Sequence, residues 1–364
     1  MKNQKDARLE IKEEKIRFFW VNYLRMIAVF GVVLVHVTAD VITEWGAISP
    51  AKWWIANLYD SLFRGCVPMF IMISGALLLP KQESIRAFFQ KRFNRIFIPF
   101  LFWTIMYLVW KKIFYDPGLG LWQALGLAFN GGVWFHLWFM YILTGLYLIT
   151  PIFRILIAHA RRTHIAYFLG IWFALGSLLP FIDRFARFFG LPGVHIDLSV
   201  GIAQGFLGYF VLGCFLMKYT REKWTKTAGI VWLACLFICF FGTGWLTMRS
   251  GSFQLMFYDN LSPNIVFYCA SFFVIIKTLL SSQENRIAIP IKNFILTSSK
   301  ASFGIYLIHP MIIDILDKGR LGFFVKSTTG HPLITIPAIA IFIYFISFFI
   351  VWGIQKTPYL KRIV

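Results

Sequence analysis

The chain has 364 residues, of which 59% are hydrophobic, 19% aromatic and only 14% charged, with a formal net charge of +20. That composition excludes an ordinary soluble domain and a disordered chain. Apolar runs of about 20 residues recur from end to end, so the expected fold is all-α: a polytopic integral membrane protein of about ten transmembrane helices. The positive charge has no soluble basic domain to sit on, so it reports membrane topology and not a nucleic-acid partner.

Residues 1–17 read as a cytosolic lead of mixed charge, 18–354 as one transmembrane unit and 355–364 as a cytosolic tail. The first apolar run, Phe18 to Val37, is too long for a signal peptide and is followed by no small-residue cleavage site. Spans are expected near 18–40, 56–79, 95–115, 133–157, 165–182, 199–217, 227–247, 263–281, 300–316 and 333–354. Gly118 to Gly132 is apolar but short and glycine-rich, which suits an interfacial or re-entrant element. With the N-terminus inside, the segments on the cytosolic side carry 25 Lys and Arg and those on the other side carry 9. That asymmetry predicts both termini in the cytosol. The five cysteines, Cys66, Cys214, Cys235, Cys239 and Cys269, lie inside apolar segments with no CxxC pair and read as inert core residues.

Two ionisable residues interrupt the first span. Arg25 and His36 are 11 residues apart, a rotation of about 1100°, or three turns plus about 20°, so they share one helix face. Their axial separation is roughly 16 Å, which places Arg25 in the inner half of the membrane and His36 in the outer half. The bland alternative is a snorkelling arginine and a satisfied core histidine. Both on one stripe favour a polar cavity. At the start of the third span, Arg92 and Arg95 are three apart, neighbours on one helix face. They suit a phosphate-bearing ligand or a positive-inside anchor equally. Ser74 and Gly75 suit close helix packing.

On Arg25-x10-His36, Arg92-x-x-Arg95, VPMFIMISGALLL at Val67 to Leu79, HLWFMYIL at His136 to Leu143 and SFGIYLIHP at Ser302 to Pro310, the sequence resembles the membrane-bound acyltransferase family 3. These are bacterial O-acetyltransferases of cell-surface polysaccharides, and the closest likeness is to the short form with the membrane domain only. The resemblance implies a multi-pass enzyme of the bacterial inner membrane that takes an acyl group, usually acetyl, from cytosolic acyl-CoA (acetyl-CoA) as co-substrate. The acceptor implied is a hydroxyl of an envelope glycan or glycolipid arriving from the outer side. Arg25, Arg92 and Arg95 would hold the donor phosphates. His36 would act as general base or be acylated itself.

Asp40, at i+4 from His36, could orient the imidazole or simply mark the helix end. Tyr306 and His309, three apart before Pro310, are equally a structural hydrogen bond or a substrate contact. His136 and Trp138, at the outer start of the fourth span, are candidate acceptor or tunnel residues. Arg64 would pair with Asp60 at i−4 or meet an anionic acceptor. No HExxH, Walker loop or GxGxxG motif is present, so no metal is expected. A rival reading is a transporter or flippase of polysaccharide or lipid-linked sugar, which favours internal repeats that are not evident here. A third is a relative of the fold that acts as a sensor or transfers succinyl.

Overall fold

The computed structural model describes residues 19–193, 205–283 and 287–364. The expected lead at 1–17 and the first residues of the expected sixth span lie outside them. In chain order the helices are α1 (Phe19–Ile42), α2 (Pro50–Phe63), α3 (Cys66–Leu78), α4 (Ile85–Arg92), α5 (Ile98–Phe114), α6 (Leu121–Phe129) and α7 (Trp138–His159). There follow α8 (Arg162–Phe173), α9 (Leu179–Phe188), α10 (Leu207–Tyr219), α11 (Thr225–Ser250), α12 (Pro263–Gln283), α13 (Ile289–Asp317) and α14 (Pro332–Lys356). No strand occurs among the described residues. Eight helical stretches are long and apolar enough to cross a membrane, so the chain is an all-α polytopic membrane protein. The expected ninth span lies within the 29-residue α13. The expected sixth is represented by α10, 13 residues long.

The helix that carries Arg25 and His36 is the centre of the assembly. α1 has no proline over 24 residues and buries Leu24, Val29, Val33 and Val41 on successive faces. A helix apolar nearly all round belongs inside a core, and α1 packs against α2, α3, α12, α13 and α14. The two polar residues therefore look onto neighbouring helices and not onto lipid.

Three departures from regular helices matter for the site. The expected second span is broken at Arg64 and Gly65 into α2 and α3, where a Cβ on Gly65 would come within 2.8 Å of the Tyr268 ring and the Cys269 sulfur. Between α4 and α5 the backbone widens into a π-helical turn, Phe93–Phe97, and a second one, Ala174–Leu178, joins α8 to α9. Each is followed by a proline in the first turn of the next helix, Pro99 and Pro180. Proline lacks the N–H that would close the preceding turn and its ring crowds the carbonyl there, so a wider turn relieves both. The stretch Gly118 to Gly132 contains the nine-residue α6, none of whose side chains is buried.

Glycine sets the closest approach. A Cβ on Gly75 would lie 1.7 Å from the Phe210 carbonyl oxygen, and one on Gly213 would lie 1.9 Å from that of Met72. α3 and α10 are thus in backbone contact at two reciprocal points, the packing anticipated for Gly75, while the Ser74 hydroxyl donates to the Phe70 carbonyl of its own helix. The tail does not hang free: Trp103 Nε1 donates to the Ile363 carbonyl (2.9 Å). All five cysteines are buried and unpaired.

Candidate active site

At one end of α1, His36 meets α13. His36 Nδ1 and His309 Nε2 are 2.8 Å apart, with the two rings nearly coplanar (interplanar angle 5°). His309 is fully buried, and its Nδ1 lies 3.0 Å from the Ile305 carbonyl one turn earlier in the same helix. A carbonyl only accepts, so His309 Nδ1 carries the hydrogen. A neutral His309 then presents a bare Nε2, which takes the hydrogen bond from His36 Nδ1–H. The lone pair of a neutral His36 is left on Nε2. Such an imidazole can accept a proton or form a bond at one defined nitrogen.

Aromatic rings wall this pair. Phe135 packs edge-on to His36 at 4.9 Å, and His136 packs against His309 at 5.8 Å, Tyr306 at 5.2 Å and Tyr107 at 5.1 Å. The Tyr306 hydroxyl donates to the His136 carbonyl. Both ring nitrogens of His136 are buried without a partner among the described residues, as is Trp134 Nε1 nearby. Buried polar atoms are nearly always satisfied, so this corner is shaped for polar atoms that come from outside the chain. Four of the residues singled out in the sequence, His36, His136, Tyr306 and His309, therefore come together.

At the other end of α1, Arg25 makes no hydrogen bond or ion pair with any described residue, and it lies within electrostatic reach of Arg95 and of the Tyr147 hydroxyl. Arg92 shares that neighbourhood with Tyr147, Arg95 and Arg154. The three arginines of the sequence reading thus gather around the Tyr147 hydroxyl. The two arginines of the Arg-x-x-Arg pair do not share one regular helix: Arg92 ends α4 and Arg95 sits in the π-helical turn, yet both reach Tyr147. The cluster also holds Arg154 and Glu83, which the sequence reading missed. Arg154 donates from Nε to the Leu78 carbonyl (2.8 Å) and from a terminal nitrogen to Glu83 (2.9 Å). Tyr147 and Arg154 are seven apart on α7, on one face, a spacing that could have found them.

Three singled-out residues stand elsewhere. Asp40 is exposed at the end of α1 among Asp317, Lys318 and Lys326, and His36 gives its hydrogen bond to His309 instead. Arg64 donates to Asp60 (3.1 Å) and to the Tyr258 carbonyl (2.8 Å), and Asp60 also accepts from Thr38 (3.0 Å). It is committed to a buried structural network. Trp138 packs against Phe206 and Phe139, away from the histidines. No group of three or more His, Cys, Asp or Glu side chains among the described residues is arranged to hold a metal.

No curated protein and no solved structure matches this chain. Comparison with protein families does: the acyltransferase domain family, Acyl_transf_3, matches residues 18–355. A histidine with one bare nitrogen and an arginine cluster, joined by one buried helix, sit within that matched stretch, and the chain belongs to acyltransferase family 3 as a membrane-embedded acyltransferase.

Proposed function

We propose that the protein transfers an acyl group, acetyl in its simplest form, from cytosolic acyl-CoA to a hydroxyl of an envelope polysaccharide or glycolipid. The observation that carries this reading is the content of α1: at one end an arginine with no hydrogen bond or ion pair to any described residue and, roughly 16 Å along the axis, a histidine whose free lone pair is on Nε2. Arg25, Arg92 and Arg95 would bind the donor phosphates, for which fixed guanidinium forks are suited. The pantetheine arm would run along the α1 stripe toward His36.

In the reaction, His36 Nε2 takes the proton of the acceptor hydroxyl as the oxygen attacks the thioester carbonyl. The tetrahedral intermediate collapses with cleavage of the C–S bond. The leaving CoA thiolate then recovers the proton from His36, so the imidazole ends neutral. His309 stabilises the imidazolium through the hydrogen bond it accepts from Nδ1–H. His136 and Tyr306 line the side on which the acceptor would lie. In this reading the protein sits in a bacterial inner membrane, and the excess of Lys and Arg supports an arginine cluster on the cytosolic side with the histidines toward the outer side.

The test is labelled acetyl transfer from acetyl-CoA to envelope glycan by membranes carrying wild type or the His36 variants. His36→Ala and His36→Gln should retain CoA binding and lose at least about 100-fold in transfer rate. Normal transfer by the Ala variant would remove His36 from the chemistry. Absence of transfer by the wild type, with movement of an undecorated glycan across the membrane, would favour the transporter reading.

A further inference from the structure

Glu83 lies in the loop 79–84 between α3 and α4 and faces three cations at once. Lys91 Nζ is 2.7 Å from its Oε2, while Arg92 and Arg154 reach its Oε1 at 3.3 Å and 2.9 Å. Among the described residues, one carboxylate against three cations leaves the cluster with two uncompensated positive charges. The guanidinium groups are fixed independently of Glu83. Both stack on the buried Phe88 ring, at 4.5 Å for Arg92 and 4.6 Å for Arg154, and Arg154 is further tied to the Leu78 carbonyl. Two guanidinium groups held on one ring repel each other unless an anion lies between them. The carboxylate belongs to irregular backbone and is the one anion these three cations share, so it is the member of the cluster that another anion can replace.

We propose that Glu83 is an internal anion occupying a phosphate site built by Lys91, Arg92 and Arg154, and that a phosphate group displaces it on binding. The phosphate would come from the nucleotide end of the donor or from a lipid headgroup; the donor as its source rests on the acyl-CoA reading above. A phosphate monoester dianion carries twice the charge of the carboxylate and more acceptor oxygens, so it matches the three cations better. Proton uptake is not the release mechanism. The Lys91 ammonium, followed by the Arg154 guanidinium, holds the Glu83 carboxyl at about 2, and it stays ionised at any pH at which a cell envelope is made. Glu83 thereby lowers the affinity of the site for phosphate while keeping the empty arginine cluster together.

The sign of one substitution tests this. The purified full chain in uncharged phosphatidylcholine nanodiscs is titrated with inorganic pyrophosphate and, separately, with CoA. If Glu83 competes with phosphate, Glu83→Gln binds pyrophosphate about tenfold more tightly than wild type, about 1.4 kcal/mol. Arg154→Gln binds it about tenfold more weakly, the loss of one charge-assisted hydrogen bond. Unchanged or weaker pyrophosphate binding by a folded Glu83→Gln overturns the proposal. Should that variant not fold, Glu83→Asp, which withdraws the charge by one methylene, should still tighten binding about threefold, and the same negative result would overturn the proposal. CoA following pyrophosphate through these variants identifies the donor as the source. Tightened pyrophosphate binding with no CoA binding to any variant keeps the site and sinks the acyl-CoA reading. Competition by phosphatidic acid added to those nanodiscs then identifies the headgroup as the source.

Discussion

Replacing His309 by Phe keeps an aromatic ring of similar size in a fully buried site and removes the atom that accepts from His36. The α13 backbone hydrogen bond from residue 309 to Ile305 survives, because it does not involve the side chain. What changes is the tautomer of His36. With no acceptor facing Nδ1, the imidazole is free to place its hydrogen on Nε2 and lose the bare nitrogen there. In the Ser-His-Asp template, loss of the residue that fixes the tautomer costs about 10⁴ in rate, or about 5.5 kcal/mol. That partner is charged, whereas His309 is neutral, and hydrogen bonds between neutral groups are about half as strong. The expected loss for His309→Phe is therefore about 2.7 kcal/mol, or about 10² in kcat, with KM for acetyl-CoA nearly unchanged. His309→Gln, whose side-chain oxygen can accept from His36 Nδ1–H, should recover about tenfold of that loss. The assay is labelled acetyl transfer in membranes, with melting in detergent and CoA binding measured on the same variants. A folded His309→Phe protein with kcat within about threefold of wild type would refute the tautomer argument.

Arg25→Ala should weaken CoA binding by about 1.5–3 kcal/mol, and Arg92→Lys should not fully restore what Arg92→Ala loses, because the planar fork is gone. Calorimetric binding of CoA unaffected by Ala at Arg25, Arg92 and Arg95 together would reassign these residues to anchoring. Gly213→Ala would place a Cβ 1.9 Å from the Met72 carbonyl oxygen and push α3 from α10, costing about 1–3 kcal/mol of stability, read as a lower melting temperature. Gly229→Ala, where the new Cβ meets nothing within 4 Å, is the control and should melt no lower than wild type. A cysteine introduced as Asp116→Cys, at an exposed position, should react with an impermeant maleimide from outside intact cells, as the 25-to-9 charge asymmetry requires. Labelling only after permeabilisation would invert the orientation and the route of the donor.

What the sequence determined by itself is what local periodicity and hydropathy encode. Hydrophobic length marked the spans, and a rotation of 100° per residue put Arg25 and His36 on one stripe, because both properties belong to a single helix. The same arithmetic identified Tyr306 and His309 as close neighbours on one helix. It could not say what His36 would touch. Asp40, four residues away, was the nearest ionisable group along the chain, yet the partner is His309, 273 residues distant. That choice depends on how α1 is rotated against α13, which is set by packing all round α1 and not by any segment alone. The same limit hid the phosphate-side cluster. Arg154 and Glu83 are 71 residues apart and meet only because α7 returns to the loop after α3. Arg92 and Arg95 meet at Tyr147 across a turn whose widening before Pro99 into π geometry no helical arithmetic at 100° per residue describes. Chemistry-bearing residues were legible wherever one helix carried them; their pairing across helices was decided only by the tertiary structure, because a side-chain hydrogen bond needs atoms placed to within a few tenths of an ångström.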